Sequence, residues 1–167
     1  MPPEGALHPR GVPRRALMMD FKVHIPFVQL LGMELQHMNP GESEIHLELR
    51  EELTNSWGVA HGGVTMTLLD VVMAHAARSP LQPGGEVQQG VVTIEMKTSF
   101  MRPGVGRLVA TARRLQRTAS MAFCEGYVHD SAGQLVGHGS GIFKYLKALP
   151  VPGAGGGQRI QKLNASD

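Results

Sequence analysis

HGGVTMTLLDVVMAHAAR, His61 to Arg78, is the segment that decides the fold. A helix drawn through it carries small or apolar residues on every side: Val64, Met66, Leu68, Leu69, Val71, Val72, Met73, Ala74, Ala76 and Ala77. From Gly62 to Arg78 it is long enough for nearly five turns at about 3.6 residues each. Ser79 and Pro80 stop it, and Arg78 stands at the negative end of the helix dipole. A helix apolar all round is expected to be buried on most of its faces. Asp70, in the middle of it, then needs a partner, a neutral state or a water-filled cleft, because burying an unpaired carboxylate is costly.

Outward from this helix the chain reads mostly as strands. HIPFVQLLG, His24 to Gly32, predicts a short helix with Pro26 near its start and Gly32 just past its end. MELQHM and SEIHLELR follow, separated by the turn formers Asn39, Pro40 and Gly41. The second alternates Ile45, Leu47 and Leu49 against Glu44, His46 and Glu48, as a hairpin with one wet face does. After the helix and the loop LQPGGEVQ come four more strands: GVVTIEMKTSFM, RLVATARRLQR, ASMAFCEGYVHD and QLVGHGSGIFKYL. Six strands and one dominant helix, with no βαβ alternation and no GxGxxG, predict an α+β domain in which a curved antiparallel sheet wraps around the long helix. Pro- and Gly-rich ends predict disordered segments at 1–20 and 149–167 flanking one domain at 21–148.

Composition narrows the function classes. With 167 residues, 42% of them hydrophobic, the chain suits one globular domain. The net charge of +2 comes from 16 scattered Lys and Arg rather than a basic block, which argues against a nucleic-acid partner. One cysteine, Cys124, permits no internal disulfide. No apolar run reaches the roughly 18 residues of a membrane span, and the N-terminus lacks the apolar core of a secretion signal, so a cytoplasmic protein with no membrane partner is expected. Eight histidines form no HxxxH or HExxH and there is no CxxC, so no metal is expected. Ser56 and Ser120 lie in no GxSxG elbow. Met66 and Met73 are candidates for core filler or for the lining of an apolar binding tunnel. Arg102, Arg107, Arg113, Arg114 and Arg117 read as strand-surface charges that could also meet phosphates.

The start of the long helix offers chemistry. Its first N–H groups lack intrahelical acceptors and sit at the positive end of the dipole. Gly62 and Gly63 have no side chains to hold a ligand carbonyl away from them. An oxyanion could form there, or the glycines could serve only close packing.

Asn55, the HGG of His61 to Gly63, and Asp70 nine residues after the histidine together resemble the hot-dog-fold thioesterases of the phenylacetate-pathway (PaaI-like) type. VVTIEMKTSFMRPGVGRLVATARRLQRTASMAFCEGYVHDSAGQLVGHGSGIF is similar to that family's closing strands, including an aromatic-x-x-Pro turn at Phe100 to Pro103. The resemblance spans roughly residues 32–144. It implies a hot-dog fold, hydrolysis of acyl-CoA thioesters without metal or cofactor, and a homodimer or homotetramer whose active sites are shared between subunits. It further implies that the Gly62 N–H polarises the thioester carbonyl with help from Asn55. His61 supports the loop or the leaving sulfur, and Asp70 of the other subunit is general base or nucleophile. Thr93 holds the water or the aspartate. Trp57 stands in the Asn-to-His loop where smaller residues are common. A binding module without turnover and an enoyl-CoA hydratase are alternatives for the same cleft; the spacing of His61 and Asp70 favours hydrolysis through the resemblance.

Overall fold

The computed structural model describes residues 21, 24–87, 90–146 and the backbone of 148–152 and 158–162. A short helix α1 (Pro26–Leu31) leads into β1 (Met33–Asn39) and β2 (Glu42–Glu48). A single turn of 3-10 helix, Glu51–Leu53, precedes the long helix α2 (Gly62–Arg78). Then come β3 (Val91–Phe100), β4 (Arg107–Arg117), β5 (Met121–His129) and β6 (Leu135–Tyr145). The six strands form one antiparallel sheet in the order β1-β2-β4-β5-β6-β3, with α2 packed across it, as the sequence predicts. β3, formed directly after the helix, closes the far edge against β6. The expected N-terminal disorder lies outside the described residues. Where the sequence reads as a loose tail, the backbone of β7 (Ala148–Pro152) pairs with β8 (Gln158–Lys162) as a two-stranded antiparallel ribbon.

Local chemistry explains the punctuation. Pro26 occupies the first turn of α1, where its missing N–H costs nothing, and Gly32 ends the helix at φ 77°. Asp130 Oδ1 accepts from the N–H groups of Ala132 (3.0 Å) and Gln134 (2.9 Å), fixing the β5–β6 turn. Along β2, Ile45 and Leu47 are buried while Glu44 and His46 face outward.

The helix seats on the sheet through a track of residues that have no side chains. Gly137, Gly139 and Gly141 alternate along β6, so all three face α2, and Gly126 of β5 pairs directly with Gly139. A Cβ at Gly126 would lie 3.1 Å from Met73 Cγ, one at Gly137 3.0 Å from Thr65 Cγ2, and one at Gly139 3.4 Å from Leu69 Cδ1. These contacts draw Thr65, Leu69 and Met73 deep into the core.

The expectation that α2 is buried on most faces needs correction. Thr65, Leu68, Leu69, Val72, Met73, His75, Ala76 and Ala77 are buried, but Gly63, Met66, Thr67, Asp70, Val71 and Ala74 form a continuous stripe that is not. One sheet can cover only one side of a cylinder. Arg78 stands in the last turn of α2 as expected, and the last carbonyls are met from the sheet by Arg114, whose Nη1 reaches those of Ala77 (3.0 Å) and Ser79 (3.3 Å). Tyr145 donates its hydroxyl to the Ala77 carbonyl at 2.6 Å, completing the cap.

His75 makes this helix acid-sensitive. Its Nδ1 lies 2.7 Å from the Val71 carbonyl, its ring meets Phe21 edge-on, and burial pushes its pKa down to about 4. The unfolded chain binds a proton there near pH 6.5 and the folded one does not, so stability is lost as pH falls from about 6.5 to about 4. At 1.36 kcal/mol per unit the full loss is roughly 3 kcal/mol. Urea unfolding at pH 7 and pH 4.5 should show it, and His75→Gln should flatten that pH dependence.

Candidate active site

Asp70 lies on the open stripe of α2, half-buried, and accepts a hydrogen bond from Thr93 Oγ1 at 2.7 Å on Oδ1. Thr93 reaches it because of a bulge. Along β3, Met96, Thr98 and Phe100 pair opposite the helix-facing Gly141, Gly139 and Gly137, whereas Glu95 and Lys97 pair opposite outward Ile142 and Ser140. Strict alternation would put Thr93 outward with them. The register shifts between Thr93 and Glu95, so Thr93 pairs with inward-facing Phe143 and turns toward Asp70.

At the other end of the stripe, His61 is the N-cap of α2. Its carbonyl accepts from Val64 (2.9 Å) and Thr65 (3.2 Å), and its ring Nδ1 accepts from the Gly63 N–H at 3.0 Å. An accepting Nδ1 carries no proton, so the ring's proton is on Nε2. Three of the four leading N–H groups are thereby satisfied by one residue. The fourth, that of Gly62, has no acceptor among the described residues. The ring of Phe100 flanks it, lying 3.5 Å from where a Gly62 Cβ would be. The start of the helix is held in place from both sides: Ala60 N–H donates to Gly104 O (2.9 Å) and His61 N–H to Leu53 O (2.9 Å).

Asn55 serves its own loop first. Oδ1 accepts from the N–H groups of Trp57 (2.9 Å) and Val59 (3.4 Å), which leaves only the Nδ2 amide to donate elsewhere. Of the sequence candidates, Asp70 and Thr93 meet through a hydrogen bond, as do His61 and Gly63. Gly62 and Asp70 do not meet: eight residues apart on one helix, they are separated by about 12 Å at ~1.5 Å per residue. Met66 is exposed on the same stripe. Met73 is not: it is wholly buried against the glycine track.

The remaining constellations resolve structurally. Cys124 is buried and its thiol pushed up to about 12 by desolvation, so it is no nucleophile. Arg107 pairs with Glu48 and Arg113 with Glu125, while Arg117 lies over the Tyr145 ring. Arg114 is the helix cap described above, so of the five arginines the Arg102 side chain alone has no partner among the described residues. Among the described residues no helix is long and apolar enough to cross a membrane, and no three His, Cys, Asp or Glu side chains gather as a metal site would require.

The model of the Thioesterase superfamily matches residues 58–136, from the loop before α2 to the start of β6. A provisionally named esterase of Halobacterium salinarum is 32% identical over 100 residues, 58% of this chain and 65% of that protein. The medium/long-chain acyl-CoA thioesterase YigI of Escherichia coli is 27% identical over 122 residues, 66% of this chain and 79% of that protein. Among solved structures, the E. coli PaaI protein from the phenylacetic acid degradation operon superposes with a TM-score of 0.65 over 72% of this chain and 83% of its own, at 20% identity. That likeness is one of fold.

Proposed function

We propose that this chain, which belongs to the thioesterase superfamily, hydrolyses acyl-CoA thioesters at a site assembled from Asp70 of one subunit and the Gly62 N–H of another. The observation that carries this reading is that α2 keeps two groups available for chemistry. One is a carboxylate oriented by Thr93 whose second oxygen has no partner among the described residues, the other an N–H left over when His61 satisfies its neighbours. The thioester carbonyl accepts from Gly62 N–H, with the Asn55 amide as a second donor. Asp70, as general base, takes a proton from water as its oxygen attacks the carbonyl carbon. The tetrahedral oxyanion then collapses, the C–S bond breaks, and the thiolate leaves as free CoA. Donors aimed at developing negative charge contribute most in such a step.

Because roughly 12 Å separates the two groups in one chain, a second chain must bring them together. The exposed apolar residues Met66 and Ile94, beside the open edge of β3, support pairing there. A two-fold axis makes two such sites.

A thiol-release screen over an acyl-CoA panel tests the activity. Loss of enoyl absorbance without free thiol would point to hydration instead, and binding by calorimetry without either would point to a carrier. Site sharing has its own test, mixing two inactive chains. Co-folded Asp70→Asn and Gly62→Pro chains should recover about a quarter of wild-type activity, because half of randomly paired dimers are mixed and each has one intact site of two. Activity no higher than that of either variant alone would place both groups of each site in one chain.

A further inference from the structure

The protein's single tryptophan, Trp57, is 84% exposed. It does not ride on a slack loop. Asn55 Oδ1 holds its N–H at 2.9 Å, Gly58 N–H donates to Asn55 O (3.0 Å), and Asn55 N–H donates to Val59 O (2.9 Å). Thr54 and Ala60 form an isolated bridge at the base, and Gly58, at φ 71°, takes a conformation that side chains disfavour. So braced, the backbone that carries the indole is fixed, and the ring stands out from the protein. A large apolar ring is held in water, which forgoes the burial that normally makes tryptophan stabilising.

We infer that Trp57 selects the substrate by stacking against the apolar part of the acyl group, an inference that rests on the thioesterase reading above. The same Asn55 that braces the indole is the second donor to the thioester carbonyl. Two residues apart, their Cα atoms are at most about 7 Å from one another. Groups within that reach of the carbonyl belong to the acyl chain or the near end of the pantetheine arm, whereas the adenine lies at the arm's far end. Phe100, 55% exposed, supplies further apolar surface beside Gly62, and Met66, 41% exposed, stands four residues along the same helix. Acyl groups of medium length or longer, with enough apolar surface to cover the indole, are therefore preferred to acetyl.

Intrinsic fluorescence reads this site alone, since there is no second indole. Titration with a non-hydrolysable octyl-CoA thioether should blue-shift or quench the emission, and CoA alone should not. In turnover, Trp57→Ala should lower the octanoyl-to-acetyl ratio of kcat/KM by roughly tenfold or more, with Trp57→Phe restoring part of it. An equal response to CoA alone would overturn the inference, because the indole would then meet the carrier. So would an unchanged ratio in folded Trp57→Ala, or emission already shielded from iodide in the free protein and unshielded on dilution, the mark of a second copy covering the ring. A spectral response to the thioether in a protein that releases no thiol from any acyl-CoA would defeat the hydrolysis reading and leave this one standing.

Discussion

Asp70→Asn is expected to lower thiol release from acyl-CoA by at least about a hundredfold, the lower end of what general-base catalysis contributes. The substitution is close to isosteric, and an amide oxygen can still accept from Thr93 Oγ1, so the geometry around position 70 is retained. What disappears is the capacity to take a proton from water. Because the side chain is only half-buried, thermal unfolding should move little or shift upward. Near-normal turnover in a folded Asp70→Asn protein would remove the carboxylate from the reaction. Thr93→Ala acts one step back: it frees the carboxylate to rotate, and its effect on kcat should be smaller than that of Asp70→Asn.

The second large effect comes from deleting one hydrogen atom. Gly62→Pro removes the N–H proposed to hold the oxyanion, and little else. Position 62 is the first residue of α2, where proline is favoured, and His61 at φ −63°, ψ 138° already has the extended conformation that a following proline requires. The added Cβ meets Phe100 at ordinary contact distance. Loss of one such donor should cost about a hundredfold to a thousandfold in kcat, or roughly 3 to 4 kcal/mol of transition-state stabilisation. Gly62→Ala is the control, with the same Cβ but the N–H kept, and it should retain most of the activity. If the two variants lose activity equally, the cause is the added carbon and not the missing donor.

Patterns that rely on local periodicity were legible in the sequence. The limits of α2 follow from Gly62 at one end and Ser79-Pro80 at the other, and the β2 alternation assigns Ile45 and Leu47 to the core without reference to anything distant. Features set by long-range packing were not. Glycines at 137, 139 and 141 look like weak strand residues until a helix is laid across them. Arg114 reads as one of a pair of surface arginines, yet it caps a helix 35 residues or more away in the chain. Alternation along VVTIEMKTSF assigns Thr93 to the same face as Glu95 and Lys97, and only the bulge reverses this; the resemblance, not the pattern, pointed to Thr93. His61 shows a limit of another kind. That a histidine ring would cap Gly63, and so leave the Gly62 N–H as the leading donor without an acceptor among the described residues, depends on a rotamer no spacing specifies.

The glycine track on β5 and β6 has a consequence for aim. A helix lying on a smooth sheet could roll about its own axis, and a roll of one residue would swing Asp70 through about 100°. Thr65, Leu69 and Met73 are keyed into notches that only missing side chains provide, so α2 has one stable bearing. The direction of the carboxylate is thus set from the flank, by sheet-facing residues centred roughly a quarter-turn around the helix from it.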